Sequence, residues 1–273
     1  MKLQYKIGLA IAPENALPSA FVVFHDKLET SIKKVADLGY DGVELALLDK
    51  NQVDIKLVNK LISDYGLTIP VVSTGQVYGE ARLHFTDPDP ARRQLAMDKF
   101  MGLMEVAAEF GAKINIGRIR GPLWQETGTE KAENNFMACL EKLSDFGRKL
   151  NVEIILEPVN RYEINFINNC AEGVRLLNRL GRENVKLMPD LFHMNIEDPS
   201  IEGTLMKYAD YISYIHVADT NRYAPGRGHM DFKSIFTTLN TIRYRGFLSV
   251  EILPFPTPDA AALEAIQYLR KYC

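Results

Sequence analysis

Residues 152–190 read VEIILEPVNRYEINFINNCAEGVRLLNRLGRENVKLMPD and contain one complete unit of the fold. The apolar run Val152–Glu157 is typical of a buried strand, and Ala171–Leu180 has the apolar spacing of an amphipathic helix. Gly181 stands where a helix C-cap is expected, and a second apolar run, Val185–Asp190, follows. The stretch therefore predicts a strand, a long loop, a helix and a further strand, which is the pattern of a parallel βα unit.

The same alternation extends along the chain in both directions. Six further apolar runs are Tyr5–Ile11, Gly42–Leu47, Ile69–Thr74, Ile114–Gly117, Tyr211–Val217 and Phe247–Ile252. The other amphipathic stretches are Lys27–Leu38, Asp54–Tyr65, Pro90–Phe110, Thr129–Leu150, Ile201–Tyr208, Phe232–Arg243 and Pro258–Tyr272. Eight such units predict an α/β fold, a (β/α)₈ TIM barrel, with residues 1–273 as one domain. A doubly wound open sheet is the alternative, but its usual Gly-rich turn does not follow Ile11.

The longest irregular stretches all follow a predicted strand and precede a predicted helix. They cover residues 12–26, 75–89, 118–128, 158–169 and 220–230. Long loops therefore gather at one face of the barrel, which is the face where barrel enzymes place their active sites.

Composition excludes several classes of protein. The 273 residues include 32 Lys+Arg and 35 Asp+Glu, for a net charge of −3, so there is no cationic excess of the kind that binds nucleic acid. No run approaches the roughly 18 apolar residues of a membrane span. The three cysteines form no CxxC pair, which argues against a thiolate zinc site or a disulfide framework. We expect a cytoplasmic protein with a small-molecule partner.

The last four predicted strands end in groups that can bind a metal ion. These groups are Glu157, Asp190, His216 and Glu251. A lone carboxylate at the end of an apolar run is costly to desolvate, and three carboxylates at one rim of a barrel repel one another. A divalent cation removes that repulsion, and three oxygen ligands with one imidazole suit Mn²⁺, Mg²⁺ or Co²⁺.

Three nearby residues are further candidates. His193 lies three positions after Asp190, Arg222 six after His216, and Glu163 six after Glu157. Each also has an ordinary interpretation, as a helix residue with a backbone partner or as a solvated loop charge.

Four segments carry a resemblance to a known family. LEPVNRYE, PDLFHMNIED, IHVADTNRYAPGRGHMDF and VEILPF, within Leu156–Phe255, resemble the D-tagatose 3-epimerase group of ketose epimerases in the xylose-isomerase-like barrel superfamily. The first half of the chain is similar mainly through GYDGVEL at Gly39–Leu45. The resemblance implies a homodimer or homotetramer that acts on a sugar.

The resemblance also implies roles for the candidate residues. One divalent ion, Mn²⁺ before Mg²⁺, Co²⁺ or Zn²⁺, would be held by the four strand-end groups, and Glu157 and Glu251 would also be the acid/base pair. His193 and Arg222 would hold the substrate oxygen next to the reacting carbon, and Glu163 would contact substrate or orient the metal ligands.

The implied chemistry suits these residue types. Inversion beside a ketone must remove a weakly acidic carbon-bound proton, and a metal on the carbonyl oxygen stabilises the resulting cis-enediolate. Two carboxylates on opposite faces of C3 can then remove the proton and return one to the other face.

Three loop arginines raise the question of an acidic substrate. Arg118 and Arg120 follow the fourth strand, and Arg227 lies in the seventh loop. Each is explained equally well as a surface residue. If one of them binds a carboxylate, for which the Arg fork is suited, the substrate would be a keto-hexonate of the 5-keto-L-gluconate or tagaturonate type. Glu44, which ends the second strand, is absent from the family's metal set, and we expect it to line the pocket or bond a neighbour.

Other functions fit the same pattern less well. An aldose–ketose or hydroxypyruvate-type isomerase and an inosose dehydratase share the enediolate. A zinc phosphodiesterase of the AP endonuclease kind would use His193, His216, His229, Asp231 and Glu251, but it needs more histidines from the second and third strands. A non-catalytic sugar-binding barrel has no need of two carboxylates beside a metal.

Overall fold

Eight short parallel strands lie at the centre of the computed structural model, which describes residues 5–16, 21–123 and 128–272. The strands are β1 Lys6–Ile11, β2 Gly42–Ala46, β3 Val71–Ser73, β4 Lys113–Ile116, β5 Ile154–Leu156, β6 Val185–Leu187, β7 Ile215–Val217 and β8 Phe247–Val250. Each lies within or next to the apolar run that predicted it, so the predicted TIM barrel is confirmed.

The sheet follows the order β6-β5-β4-β3-β2-β1-β8-β7. β1 pairs with both β2 and β8, with Gly8 opposite Gly42 on one side and Ser249 on the other. Within the described ranges, the segments of β6 and β7 are joined by two isolated bridges, Leu187 to Ile212 and Asp190 to His216. These bridges close the sheet into a barrel.

Helices of the described residues surround the strands. They are α1 Leu28–Asp37, α2 Ile55–Tyr65, α3 Gly75–Ala81, α4 Pro90–Glu109, α5 Thr129–Leu150, α6 Cys170–Leu180, α7 Leu191–Glu197, α8 Ile201–Lys207, α9 Phe232–Thr241 and α10 Pro258–Leu269. Asp54 and Asn169 cap α2 and α6 through their side chains, and Gly66 and Gly181 end those helices in the left-handed conformation. None of the described helices is long and apolar enough to cross a membrane.

Two short helices lie outside the predicted amphipathic stretches, and one of them falls in a stretch that we expected to be irregular. α3 lies inside 75–89, and α7 begins directly after Asp190. The Asp190 carboxylate accepts a hydrogen bond from Phe192 N at 2.8 Å and caps α7. This cap fixes the Asp190 side chain and starts the helix that carries His193.

The barrel core changes from apolar to polar near the carboxyl ends of the strands. Val71, Ile155, Met188 and Tyr214 form a buried apolar cluster. The Tyr214 hydroxyl donates to Glu44 at 3.0 Å, so a buried charge lies next to this cluster. A side chain of the apolar barrel interior is therefore hydrogen-bonded to a charged group near the carboxyl ends of the strands.

Candidate active site

The four predicted metal-binding side chains converge at the carboxyl ends of β5–β8. Their nearest ligand atoms, one each from Glu157, Asp190, His216 and Glu251, lie within 4.8 Å of one another. Glu157, Asp190 and His216 are buried, and Glu251 is partly buried. The strand order dictates this meeting, because successive parallel strands end at the same rim.

The imidazole of His216 faces three carboxylates with one nitrogen. Its Nδ1 lies 3.4 Å from Glu157 Oε1, 3.6 Å from Glu251 Oε2 and 3.8 Å from Asp190 Oδ2. Among the described residues this buried nitrogen has no hydrogen-bond partner. Together with the three carboxylates, this nitrogen forms a set of donor atoms that could hold a divalent cation.

The other nitrogen of His216 is fixed by Glu44. His216 Nε2 lies 3.0 Å from both Glu44 carboxylate oxygens, and Ser73 Oγ and Tyr214 OH also donate to Glu44. Burial alone would raise the pKa of Glu44, but the charge and hydrogen bond of His216 outweigh it and lower the pKa. The carboxylate accepts the Nε2–H and leaves Nδ1 directed at the other three acids, as in other carboxylate–histidine–metal arrangements. Of the two expectations for Glu44, the structure shows the bonded neighbour.

Arg222 supplies positive charge to the same cluster. It donates to Asp190 Oδ2 at 2.6 Å and to Glu251 Oε2, and its guanidinium lies 4.8 Å from the centre of the Phe192 ring. Burial alone would raise the pKa of Asp190, but the Arg222 charge holds it well below its usual range. Burial raises the pKa of Glu251 to about 8; Glu157 adds to the rise, while His216 and Arg222 oppose it. A cation among the carboxylates would relieve this repulsion.

Two residues at the end of β4, Asn115 and Gly117, lie against the Glu157 carboxylate. Asn115 Nδ2 on β4 donates to Glu157 Oε2 at 3.3 Å. Gly117 lies so close that a Cβ there would come within 2.7 Å of the same oxygen. The glycine therefore leaves room for the carboxylate at the rim.

A cavity opens beside this cluster. Residues that line it include Glu157, His193, Arg222, Glu251, Arg118 and Glu163. His193 Nε2 lies 4.0 Å from Glu157 Oε1, and burial lowers the pKa of His193. Arg118 Nη1 lies 3.7 Å from Glu163 Oε2. The cavity thus places three carboxylates, an imidazole and two guanidinium groups around the same space.

A family model described as "Xylose isomerase-like TIM barrel" matches residues 32–272. The chain belongs to this family. Over 223 residues it is 33% identical to an L-ribulose 3-epimerase of Methylomonas sp. (strain DH-1), covering 81% of this chain and 77% of that protein. It is 30% identical to a D-psicose 3-epimerase of Ruminiclostridium cellulolyticum (strain ATCC 35319 / DSM 5812 / JCM 6584 / H10), covering 82% and 77% of the two chains. These relatives confirm the expected family and its class, the carbohydrate epimerases.

Solved structures of the family superpose on the whole barrel. The structure of an L-ribulose 3-epimerase matches with a TM-score of 0.83 at 25% identity, covering 98% of this chain and 94% of that one. The structure of a Methylomonas sp. D-allulose 3-epimerase in complex with D-allulose matches with a TM-score of 0.81 at 25% identity, over the full length of both chains. An AP endonuclease family 2 protein of Brucella melitensis, at 18% identity and a TM-score of 0.80, shares the fold alone.

Two of the three loop arginines, Arg120 and Arg227, do not line the cavity. Arg120 is fully buried and donates to the backbone oxygens of Gly117, Glu157, Phe166 and Ile167. Arg227 forms a bidentate salt bridge with Glu264 and does not line the cavity. The expectation that either binds a substrate carboxylate is therefore replaced by a structural role for Arg120 and a surface ion pair for Arg227. Of the three arginines, Arg118 alone lines the cavity.

Sequence reasoning missed one residue that touches two pocket side chains. Asn160 is buried and contacts both His193 and Glu163. It is the Asn of LEPVNRYE, inside the motif that identified the family, but an amide carries no charge that would single it out.

Proposed function

We propose that the protein is a divalent-metal-dependent epimerase that inverts C3 of a ketose sugar. One observation carries the proposal: Glu157 and Glu251 both line the cavity, and each lies within 4 Å of the free nitrogen of His216. A metal site flanked by two carboxylates is what exchange of a carbon-bound proton requires. The 3-epimerase activity named for the two relatives supports the same reaction.

Glu157, Asp190, His216 and Glu251 would hold the ion, for which we propose Mn²⁺. When bound, such an ion polarises a carbonyl and stabilises negative charge on its oxygen. Metal analysis of Asp190→Ala and His216→Ala tests the ligand set. Metal content equal to that of the wild type in both variants would exclude it.

Each of the two glutamates would transfer a proton to or from one face of the substrate at C3. In one direction Glu157 removes the C3 proton as a carboxylate, the electron pair moves into the enediolate, and Glu251 returns a proton to the opposite face. In the reverse direction their roles exchange. His193 and Arg222 would donate to the substrate oxygen beside the reacting carbon.

The end of the substrate that lies farther from Glu157 and Glu251 would contact Arg118 and Glu163. The charge of Arg118 faces the carboxylate of Glu163 at 3.7 Å, so the pair offers donors and acceptors for hydroxyl groups at little net charge. This favours a neutral ketose. A keto-hexonate is the second candidate, supported by the one arginine that does line the cavity.

A substrate panel in D₂O tests the reaction and the substrate together. Ketohexoses, ketopentoses and keto-hexonates are incubated with Mn²⁺-loaded protein and followed by NMR. We expect deuterium at C3 and the C3 epimer as product from a neutral ketose. Aldose products would indicate an isomerase, and loss of water would indicate a dehydratase. If no ketose and no keto-hexonate exchanges deuterium, the proposal is contradicted.

Two further expectations belong with this proposal. The resemblance supports assembly as a homodimer or homotetramer. The absence of a cysteine pattern typical of disulfides supports a cytoplasmic location. We do not propose a nucleic-acid partner, because the net charge is −3 and the similarity to the AP endonuclease family 2 protein concerns the fold alone.

A further inference from the structure

Asn160 lies in the loop after β5, between two residues of the cavity. Its Nδ2 lies 2.7 Å from His193 Nδ1 and 3.2 Å from Glu163 Oε1. Its Oδ1 accepts a hydrogen bond from Tyr162 N at 2.9 Å. The Asn160 side chain is therefore bonded at both ends of its amide.

These contacts settle which way the amide faces. The backbone N–H of Tyr162 can only donate, so the oxygen of the Asn160 amide must face it. The carboxylate of Glu163 can only accept, so it requires the amide nitrogen on the other side. Two independent partners thus give the same orientation, with Nδ2 directed at His193.

The orientation of the amide fixes the proton on the imidazole. Because Asn160 Nδ2 donates, His193 Nδ1 must accept, and the proton of the neutral ring lies on Nε2. Nε2 is 4.0 Å from Glu157 Oε1 and 3.9 Å from Asp190 Oδ2, beyond hydrogen-bond distance from both. Its N–H is therefore available to a ligand in the cavity that His193 lines.

We propose that Asn160 is a positioning residue that holds His193 in its Nε2–H form and so directs a hydrogen-bond donor at the substrate. This rests on the proposed function only through the role of His193, whereas the position of the proton is a property of the protein without substrate. The reacting oxygen gains negative charge, so a donor held there in advance would contribute mainly to kcat.

One substitution separates this role from support of the loop. Asn160→Asp keeps an oxygen for Tyr162 N–H but replaces the donor to His193 with an acceptor, which favours a proton on Nδ1. Asn160→Ala removes both contacts. Glu163→Gln is the matched control, since its amide oxygen can still accept from Asn160 and the ring contact stays.

The first measurement is ¹⁵N NMR of the histidine rings, without substrate, at a pH where the spectrum shows a neutral His193. The His193 signal is assigned by its loss in His193→Gln. We expect a protonated Nε2 and a bare Nδ1 in the wild type and in Glu163→Gln, and a protonated Nδ1 in Asn160→Asp. A wild-type ring with its proton on Nδ1 would overturn the proposal, whatever the substrate proves to be.

The second measurement is kinetic and uses the metal-loaded enzyme at the same pH. We expect Asn160→Asp to lose about 10- to 100-fold in kcat/KM, mostly in kcat, and to be no better than Asn160→Ala. Wild-type kcat in Asn160→Asp would show that the residue only supports the loop, and would overturn the proposal. If no ketose is turned over by the wild type, the proposed function fails while the NMR result stands by itself.

Discussion

At the scale of single residues, the two glutamates allow a test of the proposed proton transfer. Glu→Gln keeps the shape of the side chain and an oxygen beside the metal site but removes the proton acceptor. We expect Glu157→Gln and Glu251→Gln each to abolish inversion at C3. Each variant should still exchange deuterium into the one epimer whose C3 proton faces the remaining carboxylate, and that epimer should differ between the two variants. NMR in D₂O measures both inversion and exchange.

The exchange must be measured with metal in excess, because an amide oxygen binds metal less tightly than a carboxylate. Circular dichroism of both variants checks that they fold. Inversion at a rate near that of the wild type in both metal-loaded variants would mean that another residue carries the proton.

Glu44 sets the state of the histidine that would bind the metal. Glu44→Gln removes the charge that accepts His216 Nε2–H, and its amide can instead donate to Nε2 and move the ring proton to Nδ1. We expect metal affinity to fall by about 10- to 100-fold, the range for lost partners of metal ligands. A competition titration with a chelating dye measures it, without any need for activity.

Tyr214→Phe is the matched control for this test. It removes one hydrogen bond to Glu44 but leaves the carboxylate on His216. We expect a smaller loss of affinity than in Glu44→Gln. Equal affinities in the wild type and Glu44→Gln would show that the buried carboxylate does not control the metal site.

At the scale of elements, one side chain connects the segments after β4 and β5. Arg120 lies in the short 3₁₀ turn Arg118–Arg120 and donates to four backbone oxygens, two of them at Phe166 and Ile167. Arg120→Met keeps much of the volume but leaves these buried acceptors without a donor. We expect the free energy of unfolding to fall by about 3 kcal/mol or more.

Urea denaturation measures that loss, and Arg227→Ala serves as the control. Arg227 pairs with Glu264 at the surface, and such substitutions change stability by about 0.5 kcal/mol or less. A similar small change in Arg120→Met would mean that water replaces the lost donors and that the segments hold together without Arg120.

The elements also show what the sequence can predict. Strands and long helices follow from apolar runs and from periodicity over many residues, and Pro90–Glu109 and Thr129–Leu150 begin at the predicted residues. α3 and α7 have seven residues each, too few for a clear period, and they depend on local capping such as that by Asp190.

Among the site residues, a charge at a strand end could be found because the strand order brings such ends together. The places of Arg120 and Asn160 could not be predicted, because their partners are backbone oxygens and a ring nitrogen that only the folded loops bring near. Glu44 was visible as a charge, but its contact with His216 crosses the barrel from β2 to β7.

At the scale of the whole molecule, stability should depend jointly on metal and pH. Burial raises the pKa of Glu251 from 4.5 to about 8. In the metal-free protein, protonation of Glu251 therefore contributes to the free energy of unfolding. This contribution is at its full value below about pH 4.5 and is lost as the pH rises through 8. Metal competes with that proton, so its stabilising effect should grow over the same range.

The measurement is the Tm with and without Mn²⁺ at pH 6 and pH 8.5. Ligand at about 100 times its Kd stabilises a folded protein by about 2.7 kcal/mol. We expect a larger gain in Tm at the higher pH for the wild type. In Glu251→Gln, which has no proton to release there, the gain should depend less on pH. Equal gains for the wild type at both values would contradict the assignment of Glu251 as a ligand.

The two bridges between β6 and β7 give the metal site a mechanical consequence. Asp190 and His216 belong to the bridge that closes the barrel, where Ser213 N and His216 N donate to Leu187 O and Pro189 O. An ion shared by these two side chains would tie together the ends of the sheet at the junction that is formed by isolated bridges. Removing it should let this edge open locally, so the amides of Ser213 and His216 should exchange with solvent deuterium faster, while those of β1 and β2 stay protected until the whole barrel unfolds.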